Sequence, residues 1–312
     1  MGFPSDSNPE KILVTKTRGN TLKGLFQTSL HAAMIDLRKK KGITHPMKQS
    51  AFLRKVLAPL ENTPLHPQWL VFRNTNKHLR SIGEMCRGTV LDVGAGSGSI
   101  RKHIPDQCDY ISLDYLETAT QWYHTRPDIF GDGQMLPLFD CCMDTVLLLD
   151  VLEHIPDPEK ALSEIFRVLK PGGTLHMTAP FLYPIHDAPY DYHRWTLHGL
   201  KLAAEKLGFL SSDVNGPGNQ PLETAVLLAN IAIGNTVLSS FKAKSPIALI
   251  SPLLAAAVPV LNIMAWLFGL LPGISEVSMV YSNRCIWRRP VYTVVPISIP
   301  LHRIGRSRCA KE

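Results

Sequence analysis

"TVLDVGAGSGSI", residues 89–100, breaks an apolar run at Asp92 and then places glycines at 94, 96 and 98. A strand that ends in an acid and turns through glycines lets a ligand lie against bare backbone. Amides at the start of a following helix then favour its negative groups. A dinucleotide-binding fingerprint starting at Gly94 and Gly96 wants its third glycine at position 99, where this chain has Ser99. The G-x-G-x-G spacing thus favours a nucleoside ligand lacking a pyrophosphate and disfavours a nicotinamide reductase. A second acid, Asp114, closes the apolar stretch "YISLDY". A carboxylate at a strand end can accept hydrogen bonds from both hydroxyls of a ribose. Alone it reads equally as a helix cap or a loop acid; beside the glycine turn, the ribose reading leads.

Outward from this stretch, short apolar runs alternate with amphipathic segments, the pattern of a parallel sheet covered by helices. The strand candidates are residues 90–93, 110–113, 145–149 and 174–178. Between the last two, Asp157 is placed to cap a helix and Pro158 to occupy its first position. Ala161, Leu162, Ile165, Phe166 and Leu169 form its buried stripe, and Pro171-Gly172-Gly173 ends it. Helices are expected at 69–85 and 196–207, with a weak strand at 209–214. The first 19 residues are polar, and 22–37 reads as an amphipathic helix ending in Arg38-Lys39-Lys40-Lys41.

The 312 residues suffice for a large core, and the net charge of +7 admits an anionic partner, although the basic residues cluster at the two ends. Six cysteines without C-x-x-C spacing indicate neither a zinc site nor a disulfide framework and fit a reducing compartment. No basic-then-apolar secretion signal opens the sequence, so a cytoplasmic location is expected.

"VLDVGAGSG", "LDY", "GDGQMLPLFDCCMDTVLLLDVLEHIPDPEKALSEIFRVLKPGGTLHMTAP" and "PYDYHRWTLHGLKLAAEKLGF" together resemble the class I S-adenosylmethionine-dependent methyltransferases, in particular the type 11, menaquinone-methyltransferase-like group. The resemblance covers about residues 69–210 and a late strand near 277–287. It implies an α/β, Rossmann-like three-layer sandwich whose seven-stranded, mostly parallel sheet ends in an antiparallel strand. It implies S-adenosyl-L-methionine as cofactor, bordered by Gly94, Ala95, Gly96 and Gly98 with Asp92 organising the loop. Asp114 would hold the ribose, Tyr115 would lie beside the adenine, Asp132 and Gly133 would meet the adenine's amino edge, and Asp150 and Val151 would line the methyl-donor pocket.

A sulfonium is already an excellent leaving group, so the protein mainly has to align an acceptor and, for a protonated acceptor, supply a base. Catalytic candidates follow the fourth and fifth strands: His154, and in "IHDAPYDYHRW" His186, Tyr192 and Arg194. His154 reads equally as a histidine satisfied by local backbone. Arg194 reads equally as a loop-orienting partner of Asp191. His186 is the favoured base. Asp150, Glu153 and His154 have the spacing of an E-x-x-E-H metal set, with His186 or His193 as a further ligand; the first acid is Asp here, so no metal is expected and chelation should leave activity unchanged. The histidine and tyrosine loop points to oxygen as the acceptor atom of a small, glycosidic or lipid-linked molecule. Nucleic-acid methylation is the rival, without a recognisable RNA module or target-base motif, so no nucleic-acid partner is expected. A non-catalytic membrane scaffold is a second, which an intact donor-pocket motif opposes.

The organisation expected is a 1–65 extension, a 66–220 methyltransferase core, a 221–275 apolar helical insertion, and a 276–312 last strand with a basic tail. Residues 247–271 carry no charge and reach the length of a membrane span. Pro252 and Pro259 are expected to break a helix there, and a double crossing would carry Lys242 and Lys244 to the wrong side. A pair of helices in or near the plane of an inner membrane face fits better, with Lys242, Lys244, Arg284, Arg288 and Arg289 near anionic headgroups. An apolar lid or a dimer interface is the equal alternative.

Overall fold

The computed structural model describes residues 58–212, 221–271 and 282–291. The expected 22–37 helix and the basic tail beyond 291 lie outside them. Seven strands form one sheet: β1 Thr89–Val93, β2 Asp109–Asp114, β3 Ile129–Phe130, β4 Met143–Leu149, β5 Leu169–Pro180, β6 Leu210–Ser212 and β7 Ser282–Arg288. Their order is β3-β2-β1-β4-β5-β7-β6. β1 to β5 run parallel, and β7 lies antiparallel between β5 and β6. The expected α/β architecture with an antiparallel last strand is thus present.

The central strands read as unbroken apolar runs because both sheet faces are covered. Leu91, Val146 and Leu148 point to one face, where α2 (Pro158–Val168) and α3 (Leu197–Leu207) bury Leu162, Ile165, Leu200 and Ala204. Val90 and Leu147 point to the other, against Leu79 and Ile82 of α1 (Trp69–Met85) and Cys86 at its C-cap. The helix signals in the sequence act as expected. The Asp157 side chain accepts from the Lys160 amide at 3.1 Å with Pro158 behind it, and Thr196 accepts from the Gly199 amide at 3.0 Å.

Several expectations need correction. β5 begins at Leu169, not Thr174: α2 stops at Val168, and Pro171-Gly172-Gly173 lies inside the strand, where the register against β4 shifts. Gly172 adopts φ 82° and its amide reaches the Arg289 carbonyl at 2.9 Å, so the glycines make an irregular strand entry instead of a helix stop. The glycine turn after β1 leads only to a short 3-10 turn at Arg101–His103, too short to contribute a helix dipole. β3 was not anticipated; two residues carry no periodicity. The weak sixth strand spans only Leu210–Ser212.

Pro252 and Pro259 do not break the apolar segment. Pro246–Ile250 forms a 3-10 turn, and α5 (Ser251–Phe268) runs on with Pro252 in its first turn and Pro259 inside it. α5 packs along α4 (Pro221–Lys242), with Ser240 and Ser251 hydroxyls 3.1 Å apart in the seam. The pair docks on α1 through Leu70, Leu227, Ile231 and Ala265. Asn262 donates to the Pro64 and His66 carbonyls at 2.7 and 2.8 Å, which accounts for a polar residue in an apolar helix.

Candidate active site

A cleft of about 800 Å³ opens at the carboxyl ends of β1, β2, β4 and β5. Gly94 and Ala95 begin one wall, and both amides donate to the Leu113 carbonyl, at 2.8 and 3.1 Å, which ties the turn to β2. Asp114 completes the tie: its Oδ2 accepts from the Gly96 amide at 2.8 Å and its Oδ1 from the Tyr115 amide at 2.7 Å. Burial raises the Asp114 carboxyl above its ordinary range, offset by those two amides. Each oxygen keeps a second lone pair for another donor. Asp92 lies behind the turn, outside the lining, and hydrogen-bonds the Tyr110 hydroxyl at 2.5 Å. Burial pushes its carboxyl up to about 6 in spite of that bond.

The protein itself accounts for part of the glycine pattern. A Cβ on Gly94 would lie 2.5 Å from Val151 Cγ2, and one on Gly96 3.2 Å from the Tyr123 ring; Gly98 has open space and does not line the cleft. Gly94 also holds φ 74°, where a side chain costs about 1–2 kcal/mol. Gly94→Ala is therefore expected to lower stability by at least about that amount. Adding Val151→Ala should recover the crowding but not the dihedral cost, a split that urea melts of the single and double variants measure.

Next along the wall, Asp132 accepts from the Gln134 amide at 2.8 Å, and Gly133 follows it in the lining. Asp150 and Val151 come from the end of β4; Asp150 is held at φ 53° and opens to the cleft while protein surrounds it, which raises its carboxyl.

The lining also gathers His154, His186 and Tyr192. The two imidazoles stand 4.9 Å apart, edge to face. His154 Nδ1 meets the Tyr190 carbonyl at 2.9 Å, so the local-backbone reading of this residue holds for one nitrogen, while Nε2 lies 3.6 Å from Glu153 Oε1. Arg194 is not in the lining. Its guanidinium forks onto Asp191, with Nη2 to Oδ2 at 2.6 Å, and reaches the Tyr183 and Pro184 carbonyls, so it orients the loop. Burial would raise Asp191, but that guanidinium and the His186 amide hold it down to about 2. Glu153, fully buried beside both imidazoles, is pushed well above the ordinary carboxylate range by desolvation and by Asp150.

Sequence reasoning missed the α1 face, where Val71, Phe72 and His78 close the cleft, and the aromatic pair Trp122 and Tyr190, 6.0 Å apart. Of these only Trp122 carried a signal, an aromatic shortly after the Asp114 turn. No described residue of the α4–α5 pair lines the cleft; it reaches the site through Val71 and Tyr183, which pack against it. The Arg289 guanidinium donates to the Phe166, Arg167 and Leu169 carbonyls, and Arg284 lines the cleft, so neither points to a headgroup role.

Residues 91–177 match the type 11 family described as a methyltransferase domain. The chain is similar to a demethylmenaquinone methyltransferase of Renibacterium salmoninarum, 37% identical over 33% of this chain and 46% of that one. It is also similar to a protein of Mycolicibacterium smegmatis named a probable S-adenosylmethionine-dependent methyltransferase, 32% identical over 46% of this chain and 61% of that one. The chain thus spans about half the length of the curated relatives it matches. Among solved structures, the Haemonchus contortus phosphoethanolamine N-methyltransferase 2 complex with phosphomonomethylethanolamine and S-adenosylhomocysteine aligns with a TM-score of 0.43 at 17% identity, covering 76% of this chain and 60% of that one.

Proposed function

We propose, from the premise that this chain carries a class I methyltransferase domain of the type 11 group, that it transfers the methyl group of S-adenosylmethionine to an oxygen of a hydrophobic, glycosidic or lipid-linked acceptor. The observation that carries this reading is one cleft lined both by Asp114 and the glycine turn and by His154, His186 and Tyr192. The donor side fits a nucleoside: Asp114 retains a lone pair on each oxygen, and the Gly94–Gly96 backbone presents no side chain.

When bound, S-adenosylmethionine supplies a methyl on a sulfonium, which needs no further activation to leave. Asp114 holds the ribose hydroxyls. Tyr115, Asp132 and Gly133, which line the cleft, would border the base, and Asp150 and Val151 would line the methyl-donor pocket. His186 sits on the acceptor wall and takes the acceptor hydroxyl's proton on Nε2, its Nδ1 being held by Asp191 at 3.2 Å. Val71, Phe72 and Tyr183 give that end an apolar border, which favours a hydrophobic acceptor. Calorimetric titration of the full chain with S-adenosylhomocysteine tests the donor reading; absence of binding would overturn it.

The α4–α5 pair supports a membrane surface as the place where such an acceptor is met. Both helices are long and apolar enough to cross a membrane, but the span holding α5 is only 17% buried. Leu249, Leu253, Val260, Met264, Leu267 and Leu271 recur at helical spacing and stay exposed, Leu249 at 85% and Leu253 at 75%. Lys244 is exposed at the turn between the helices, placed for an anionic headgroup. The full chain is expected to co-sediment with vesicles of phosphatidylcholine and phosphatidylglycerol. A Leu249→Glu, Leu253→Glu, Val260→Glu variant, which spares the side packed on α1, should lose this by about a hundredfold or more, since each buried aliphatic side chain contributes about 1.5–3 kcal/mol. Equal sedimentation of both would exclude the exposed stripe as the membrane contact.

A further inference from the structure

On the acceptor wall, three side chains converge on a point that no hydrogen bond among the described residues uses. Glu153 is fully buried, and neither of its carboxylate oxygens has a hydrogen-bond partner among the described residues. Its Oε1 lies 3.6 Å from His154 Nε2 and 3.8 Å from His186 Nε2, beyond hydrogen-bond reach of either ring.

The other nitrogen of each ring is engaged. His154 Nδ1 faces the Tyr190 carbonyl at 2.9 Å, and His186 Nδ1 faces Asp191 Oδ2 at 3.2 Å and the Pro184 carbonyl at 3.3 Å. A neutral imidazole that donates from Nδ1 keeps its lone pair on Nε2. Two imidazole nitrogens and a buried carboxylate thus face one another with no hydrogen bond between them, and a buried carboxylate is costly unless it is protonated, paired or bound to a cation.

We propose that Glu153, His154 and His186 bind a divalent first-row transition ion, of the class of Zn²⁺. Their ligand atoms lie within 4.8 Å of one another. Ligands about 2.0–2.2 Å from a tetrahedral ion stand roughly 3.3 Å apart, so Glu153 at 3.6 and 3.8 Å from the two rings closes by a few tenths of an ångström, and ligand atoms as far apart as 4.8 Å close by up to about 1.5 Å. Two imidazoles and one carboxylate suit such an ion better than Mg²⁺ or Ca²⁺, which select oxygen. Asp191 behind His186 supplies the carboxylate that metal-ligating histidines use to fix ring orientation, and Arg194 clamps that carboxylate in turn. With three protein ligands, the remaining coordination positions open to the cleft.

The ion's chemical role rests on the proposed methyl transfer, whereas its binding does not. An acceptor hydroxyl on an open position loses its O–H bond more readily, and the proton goes to water instead of to His186, whose Nε2 lone pair is then spent on the ion. Chelation is on this inference expected to abolish turnover, the reverse of the expectation from sequence.

The test is calorimetric titration of the full chain, stripped with a chelator and dialysed, with ZnCl₂, and separately with Co²⁺ followed by visible absorption. One ion per chain is expected, with ligand-field bands for Co²⁺. Glu153→Gln keeps the shape and removes a buried charge, so it should stay folded while Zn²⁺ affinity falls by about a hundredfold or more. His186→Ala should do the same and lose the Co²⁺ bands. Lack of stoichiometric binding, or equal affinity in the parent chain and Glu153→Gln, overturns the site. S-adenosylhomocysteine titrated into the same samples separates the two readings. Its binding without Zn²⁺ binding removes the metal and leaves methyl transfer standing; Zn²⁺ binding without it sustains the metal site and removes the donor.

Discussion

Replacing Asp114 with alanine is expected to weaken binding of S-adenosylhomocysteine by about a hundredfold or more while the sheet stays folded. A hydrogen bond to a charged group is worth about 1.5–3 kcal/mol, and every 1.4 kcal/mol is tenfold, so losing two ribose hydroxyl bonds reaches that figure. The structure adds a second loss, because the Gly96 and Tyr115 amides also lose their acceptor. Asp114→Asn, which keeps one carbonyl oxygen, should fall between the parent chain and the alanine variant. Calorimetry measures the affinity and far-ultraviolet circular dichroism the fold; unchanged affinity would remove the ribose from Asp114. The pH dependence has a definite sign. The ionised carboxylate is the acceptor, and burial raises its pKa against the pull of two amides, so donor binding should fail on acidification, at a higher pH than for a solvated aspartate.

For His186→Ala the expected result is the opposite division: turnover falls by about 10²- to 10⁴-fold while affinity for S-adenosylhomocysteine is unchanged. His186 lines the cleft with His154 and Tyr192, on the segment proposed to meet the acceptor, and has no contact with the Asp114 turn among the described hydrogen bonds. Single-turnover assays at saturating donor, alongside calorimetry, separate the two quantities. If donor binding is lost instead, the loop after β5 belongs to the donor side and the wall assignment is wrong.

The sheet was legible because its signals are local and strong. The apolar runs of β1 and β4, the Asp157–Pro158 start of α2 and the Thr196 cap of α3 all lie within a few residues of what they determine. Gly172 was misread because a glycine with positive φ ends a helix or kinks a strand equally well, and only the Arg289 carbonyl from β7's far end decides between them. The same limit applies to the glycine turn. Sequence points to a ligand, yet the nearest atoms to a Cβ on Gly94 belong to Val151, 57 positions along the chain. The α1 face of the cleft was illegible for a different reason: its residues read as ordinary core positions of an amphipathic helix. Pro259 shows the reverse case, a breaker overruled when flanking turns and packing against α4 hold the helix on both sides of it.

β7 lies between β5 and β6, and among the described residues β6 has no other neighbour in the sheet. On a ribosome that order becomes a schedule. β6 ends at Ser212 and β7 starts at Ser282, so about 70 further residues must be made before the edge strand can pair. At 5–20 residues per second this is roughly 4–14 s of synthesis. During that interval the five parallel strands can assemble, and with them the Asp114 side of the cleft, while β6 waits unpaired. The apolar α4–α5 segment emerges in the same interval, before the strand that follows it. It therefore meets its surroundings, α1 on one side and whatever covers the leucine stripe on the other, ahead of the sheet's completion.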